Sequence, residues 1–264
     1  ADYLGCGAMF TTHTKTDTNV ISRQVLADVC ASVPIPVVAI GGIHKENLLR
    51  LAGCGEAGIA VISFAQLVPN ANAYFTVDEY GYGCVIGQNV VNWINDKLDG
   101  KGNVLIISQD NVEAVVRRGD GIQETIEKNC PDSVIVDRQA GDNPEKGMAI
   151  AENVMQAHPE VNVIIGNNDA GPLGAIEAVN AMNLDQSVLD TFFVGGGDAT
   201  PEAVAKMKDP NNIYRASVSL DPYGTGEDCV NAIKAMIEAG GLPINEAVQV
   251  SFFNMVPVTQ EMVL

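Results

Sequence analysis

VNVIIGNNDAGPLGAI, residues 161–176, is the stretch from which the rest of the chain can be read. The apolar run 163–165 stops at Gly166, two amides and a carboxylate follow in Asn167, Asn168 and Asp169, and a helical pattern begins at Leu173. A buried strand that hands over to a helix through polar side chains is how open α/β sheets place ligand sites at strand carboxyl ends.

Working outward, the same alternation recurs. Strands are predicted at 104–107, 134–136, 163–165 and 192–194, between helices at 82–98, 112–128, 145–158 and 173–182. Thr200-Pro201 offers a hydroxyl cap and a proline at the first helical position of a further helix. A strand at 214–220, a turn at 221–224, a helix carrying Val230, Ile233 and Met236 up to Gly240-Gly241, and a terminal strand at 248–255 complete the pattern. Regular strand-helix alternation predicts doubly wound parallel sheets with right-handed crossovers.

The first 64 residues read as strand 3–10, polar loop 11–19, a helix with Val25, Leu26, Val29, Cys30 and Val33 behind a Ser22 cap, strand 35–40, a short helix at 47–51 and strand 58–64. Their continuous apolar runs predict a parallel sheet covered on both faces. Pro69-Asn70-Ala71-Asn72 forms a turn-rich junction to the remainder of the chain.

With 264 residues and 47% apolar composition, the chain has enough material for one large or two smaller α/β domains. Its 33 acidic and 15 basic residues give a net charge of −18, which argues against nucleic acid or an anionic membrane as partner. No apolar run approaches the roughly 20 residues of a membrane span, so membrane insertion is not expected. No charged-then-apolar leader precedes Ala1; either a leader has been removed or the chain is cytosolic. Cys6, Cys30, Cys54, Cys84, Cys130 and Cys229 show no metal-ligand spacing and read as packing thiols; His13, His44 and His158 are isolated. Neither a metal, a cofactor nor a catalytic triad is expected from these patterns.

Two family resemblances rest on particular residues. The opening Ala1-Asp2-Tyr3 segment, the loop Thr11-Thr12-His13-Thr14-Lys15, IPVVAIGGI at 35–43 and GIAVIS at 58–63 resemble the last three strand-helix units of thiamine phosphate synthase, a TIM-barrel enzyme. The resemblance implies that Thr12, Thr14 and Lys15 hold a pyrophosphate while Gly42 and Ser63 hold a product phosphate. Hydroxyls, a cation and free backbone N–H groups suit phosphate oxygens. The preceding five units of that barrel are not in this chain, and three units do not close an eight-stranded barrel.

From about residue 70 onward the chain resembles the type I periplasmic sugar-binding proteins of ABC transporters. The carriers are Asp78 with Gly83, Arg118-Gly119-Asp120-Gly121, MQAHPEVNVIIGNND at 155–169, LGAIEAV at 173–179, Asp198-Ala199-Thr200-Pro201 and SLDPYGTG at 219–226. The implied fold is α/β, with doubly wound parallel sheets in two lobes. The first lobe would comprise residues 1–75 and 220–264, partly built from the barrel-derived βαβαβ segment, and the second would comprise 76–219.

The resemblance puts Asn168 and Asp198 on ligand-contacting positions. Asn168 also reads as a cap on the following helix, Asp169 as the residue holding that turn, and Asp198 as a group ordering Gly195-Gly196-Gly197. Val116 stands where ribose-type members carry a ligand arginine, with Arg117 adjacent; Asp142 stands near their stacking phenylalanine and Leu220 at their hinge glutamine. The expected ligand contacts are therefore Asn168, Asp169, Asp198, Arg117 and Asp142.

The function so implied is non-catalytic: a solute-binding component of an ABC-type importer that closes two lobes on a sugar or polyol and is recognised by a membrane permease outside the cytoplasm. The borrowed phosphate residues extend this to phosphorylated or anionic ligands. The alternatives are a thiamine phosphate synthase fragment that keeps a phosphate site, and an inactive fusion of the two.

Overall fold

The computed structural model describes residues 3–11, 19–44, 46–51, 54, 62–65, 71–238 and 249–264. In chain order they form β1 (Leu4–Gly7), α1 (Arg23–Ser32), β2 (Val37–Ile40), a 3-10 turn at Leu48–Leu51, β3 (Ile62–Phe64), β4 (Ala73–Thr76), α2 (Glu79–Lys97) and β5 (Asn103–Ser108). Then come α3 (Glu113–Asn129), β6 (Val134–Ala140), α4 (Pro144–Ala157), β7 (Val163–Gly166), α5 (Ala170–Ala181), α6 (Gln186–Leu189) and β8 (Phe193–Gly195). The series ends with α7 (Pro201–Met207), β9 (Tyr214–Ser219), α8 (Pro222–Glu238), β10 (Gln249–Phe252), β11 (Val256–Thr259) and α9 (Gln260–Val263). Two compact units result, one of residues 1–76 and 223–252, the other of 77–222 and 253–264.

The second unit is built on a six-stranded sheet in the order β11-β9-β8-β7-β5-β6, parallel except for β11. Alternation along each strand divides its side chains between two cores. Leu105, Ile107, Ile164 and Val194 join Ile150, Val154, Leu173, Ile176 and Met207 of α4, α5 and α7 on one face. Val104, Ile106, Val163, Ile165 and Phe193 join Tyr82, Ile86, Ile94, Ile122 and Ile126 of α2 and α3 on the other. Both faces are covered, which is why the central strands read as unbroken apolar runs.

Helix ends follow local chemistry. Asp78 caps α2 through the Gly81 N–H, Asn143 caps α4 through Lys146 with Pro144 behind it, and Thr200 caps α7 through Ala203. On α2, a Cβ at Gly83 would run into the Arg118 carbonyl, so the missing side chain is what lets α2 and α3 pack backbone to backbone.

In the first unit β1 pairs with β2, and β10, β4 and β3 form a second sheet, all parallel. Ser22 caps α1, and Cys6, Met9, Leu26, Leu51 and Cys54 form its core. The expectation of a sheet covered on both faces does not hold for the described strands: Ile40 is 53% exposed and Phe64 58%. Ile40 belongs to a two-stranded sheet in which continuous apolar residues outnumber the positions that α1 can cover, and Phe64 to β3, the edge strand of the other sheet.

Two further corrections concern the carboxyl terminus. The single strand expected at 248–255 is two, β10 pairing parallel with β4 and β11 antiparallel with β9. Consequently residues 253–264, assigned by sequence to the first lobe, belong with the second unit. β4 and α9 carry no apolar period long enough to be read in advance, at four residues each.

Candidate functional site

In the second unit's sheet, β6 lies on one side of β5 and β7 on the other, so the direction of winding switches between β5 and β7. Loops leave such a switch point in opposite directions and open a crevice at the strand carboxyl ends. Asn167, Asn168 and Asp169 leave β7 there, and Asp198 leaves neighbouring β8.

Asp169 is wholly buried, and each of its oxygens is used. Oδ1 accepts from the Tyr214 hydroxyl and the Ser217 hydroxyl, both at 2.6 Å, and Oδ2 accepts from the Thr200 N–H at 2.7 Å. The expectation that Asp169 contacts ligand is therefore corrected: with no exposed surface, it ties the end of β7 to β9 and to the start of α7. Its negative charge and the burial around it, burial foremost, push the Tyr214 phenol far above its usual range.

Residues 198–200 form a turn in which Asp198 has φ 96° and Ala199 φ 46°. Non-glycine residues pay steric strain in this region and hold it only when surroundings fix them. Here every N–H of the turn is engaged. Asp198 N donates to the Tyr82 hydroxyl (2.7 Å) and the Val218 carbonyl (2.9 Å), Ala199 N to Ser217 Oγ (2.9 Å), and Thr200 N to Asp169. The Asp198 side chain remains exposed. Burial of its base raises the carboxyl pKa, Arg118 opposes the rise and Asp169 adds to it.

Arg118 lies below, 8% exposed. Its Nε and Nη2 both donate to Glu79 at 2.7 Å, its Nη1 donates to the Asn167 carbonyl at 3.0 Å, and its guanidinium stacks 4.7 Å from the Tyr82 ring. Asn168 keeps the capping role offered by its sequence, its Oδ1 sitting 3.4 Å from the Gly171 N–H, and among the described residues no hydrogen bond engages its Nδ2.

The structure thus gathers Asn168, Asp169 and Asp198 at adjoining strand ends and leaves the other two expected contacts apart. Arg117 turns to the flank of α3, stacked 5.0 Å from the Tyr80 ring. Asp142, at the end of β6, is paired with Lys146 at 2.7 Å, which holds its carboxyl below the ordinary range. Tyr82, Arg118, Glu79, Tyr214 and Ser217 are not among the expected site residues. Arg118 had a signal, since it stands four and eight residues before Ile122 and Ile126 on the inward stripe of α3.

Of the phosphate residues implied in the first unit, Thr12, Thr14 and Lys15 lie outside the described residues. Gly42 adopts φ 63°, its carbonyl accepting from Asn47 Nδ2 at 2.8 Å. Ser63 lies inside β3, within the strand expected at 58–64, and is 1% exposed. A cavity of about 500 Å³ opens between the end of β1 and the start of α1, walled by Phe10, Ile21, Arg23 and Arg50. Among the described residues no three His, Cys, Asp or Glu side chains gather to hold a metal ion.

Two family models match the chain. One, described as a periplasmic binding protein domain, matches residues 50–241; the other, thiamine monophosphate synthase, matches residues 1–65. The thiamine-phosphate synthase of Enterococcus faecalis is 54% identical over 67 residues, which cover 25% of this chain and 31% of that enzyme. The chain therefore spans about a third of the length of these enzymes. The ABC transporter periplasmic-binding protein YphF of Escherichia coli is 23% identical over 230 residues, covering 84% of this chain and 67% of the relative. Among solved structures, a periplasmic ribose ABC transporter protein from Conexibacter woesei superposes with a TM-score of 0.65 at 18% identity, over 99% of this chain and 92% of that one. A solute-binding protein from Bacillus halodurans with bound myo-inositol gives 0.60 at 24% identity, over 86% and 75%. At these identities the superpositions establish the fold: α/β, with the type I arrangement of periplasmic binding proteins.

Proposed function

Since the chain belongs to the periplasmic binding protein domain family, we propose that it is the sugar- or polyol-binding component of an ABC-type importer, acting outside the cytoplasm and delivering its ligand to a membrane permease. The observation that carries this reading is the strand-end group at the sheet's switch point. There Asn168 and Asp198 present an amide and a carboxylate from a rigid base of Tyr82, Asp169 and Ser217. Sugar hydroxyls both donate and accept, and an amide beside a carboxylate meets both demands. Similar proteins of this fold have myo-inositol, D-allose or allitol bound. No helix among the described residues is long and apolar enough to cross a membrane.

The thiamine phosphate synthase reading accounts for residues 1–65, whereas the binding-protein match at 50–241 covers most of the chain. Incubation with the pyrimidine pyrophosphate, the thiazole phosphate and magnesium, followed for thiamine phosphate, tests it; no product is expected.

The main test is thermal melting against a panel of neutral pentoses, hexoses and polyols. At least one should raise Tm, because a ligand bound to the native state alone stabilises it by mass action. Asn168→Ala and Asp198→Ala should abolish that rise. A panel in which no member moves Tm sinks the reading.

A further inference from the structure

The charges that Asp198 feels come from every element packed beneath it: Arg118 on α3, Asp169 after β7, and Tyr82 and Glu79 on α2. Tyr214 on β9 stands behind Asp169. Counted with Asp198 itself, these are one guanidinium against three carboxylates. The guanidinium is spent, its N–H groups on Glu79 and the Asn167 carbonyl and its face on Tyr82.

The other cations near the strand ends are occupied as well. Arg138, within β6, places Nε and Nη2 on Asp110, Nη1 on Asp120 and Gln123, and Nη2 also on the Val116 carbonyl, so all five of its N–H groups have acceptors. Val116 is where the resemblance implies a ligand arginine, and the guanidinium beneath it is closed off. Lys146 is paired with Asp142. Among the described residues, Asp198 has no ion pair.

An independent sign that this strand end is built for an occupant is Asn167, one residue before Asn168. It is wholly buried, and among the described residues neither its Oδ1 nor its Nδ2 has a hydrogen-bond partner. Buried side-chain amides in native proteins nearly always find partners, in the protein or in ordered water.

Taking the sugar-binding reading as its basis, we propose that this site selects by charge, with Asp198 as the discriminating residue. It admits uncharged polyols, holds amine-bearing sugars more tightly, and rejects sugar phosphates and sugar acids. The turn that carries Asp198 has all three of its N–H groups engaged, so its backbone cannot carry the carboxylate away from an approaching anion. A like charge brought against it is repelled, whereas an ammonium gains a charge-assisted hydrogen bond.

The test is calorimetry with matched sets at pH 7: glucose, glucosamine, glucuronate and glucose 6-phosphate, and the corresponding galactose and allose series. The expected result is that, in the series that binds, the amine member is tighter than the neutral one by about tenfold and the anionic members are not measurably bound. In Asp198→Asn the ratio of amine to neutral affinity should fall to within about twofold, whatever the absolute affinity of the variant for the neutral member. Should that variant melt early, added salt on the parent protein reads the same effect, because screening shrinks a charge preference and leaves neutral binding unchanged. Anionic members binding as well as neutral ones, or an amine preference unmoved by both Asp198→Asn and salt, overturns the proposal and leaves the sugar-binding reading standing. No binding by any member of any series overturns that reading itself.

Discussion

The Asp198 N–H donates to the Tyr82 hydroxyl at 2.7 Å, and that hydroxyl donates in turn to the Val218 carbonyl, also at 2.7 Å. One phenol from the first turn of α2 thereby closes a triangle between the ends of β8 and β9, and holds Asp198 in a left-handed conformation that a non-glycine residue would otherwise leave. The backbone beneath a side chain that meets solvent is held by one that never does.

Tyr82→Phe keeps the ring packing and the stacking of Arg118 and removes the hydroxyl alone. Asp198 N retains the Val218 carbonyl, so the loss is modest, about 1 kcal/mol, or a fall in Tm of about 2–4 °C for a unit of this size. Ligand affinity should fall by more than stability does, because the freed turn no longer presents Asp198 in one orientation. Denaturant unfolding and calorimetry on the same preparation separate the two; an affinity unchanged within error counts against the positioning role.

Asp169→Ala removes the acceptor of three buried donors at once: Thr200 N, Tyr214 Oη and Ser217 Oγ. Each orphaned donor carries a desolvation cost that no water repays, and the expected loss is about 3–5 kcal/mol. Urea unfolding followed in the far ultraviolet should show the second unit's transition moved to lower denaturant. Asp169→Asn should recover only part of the loss, since an amide accepts through one oxygen where the carboxylate uses two.

How far the sequence foretells this site depends on the range of the interactions. The run 163–165 and the polar turn after it are local, so strand, switch and helix can all be read from 161–176. Asn168 and Asp198 can be placed because each follows a legible strand. The triangle through Tyr82 joins residues more than a hundred positions apart, and nothing in the local pattern of α2 distinguishes a core tyrosine from a positioning one. Arg117 and Arg118 differ only in phase: the stripe through Ile122 and Ile126 turns Arg118 inward and leaves Arg117 on Tyr80. The carboxyl-terminal strands read as one because Phe252-Phe253 continues the apolar run across the point where the chain changes units.

The pH dependence of stability should carry the signature of Asp198. Burial raises its carboxyl in the folded state, Arg118 opposing and Asp169 reinforcing. The native protein thus binds this proton more tightly than the unfolded chain does. The associated stability is complete below the ordinary carboxylate pKa and is lost as pH rises through the raised one. Asp198→Asn, which imitates the protonated form, should therefore melt higher than the parent at pH 7 and indistinguishably from it near pH ~3. An early-melting variant at pH 7 contradicts this account.

The clamp that fastens the carboxyl terminus to the second unit can be tested through the protein's one tryptophan. Arg215, buried, donates to the carbonyls of Phe192 (3.2 Å) and Leu189 (2.9 Å) and to Gln260 Oε1 (2.8 Å), and lies 5.0 Å from the Trp93 ring. Burial lowers its pKa, so each acceptor matters for keeping the charge solvated. Gln260 also donates to the carbonyls of Asp209 and Asn212, which makes α9 a plug held by one side chain. Gln260→Ala removes the partner of a guanidinium N–H and of the Asn212 carbonyl, while the Asp209 carbonyl keeps the Asn212 N–H, at a cost of about 2–3 kcal/mol. Trp93 fluorescence should report this as an earlier transition with altered native-state emission, because the cation stacked on the indole loses one of its anchors. Deleting residues 256–264 should do so more severely, as it removes β11 from the sheet edge together with the plug. If Trp93 emission and the transition it reports are unchanged in both variants, the terminal segment does not belong to the second unit in solution.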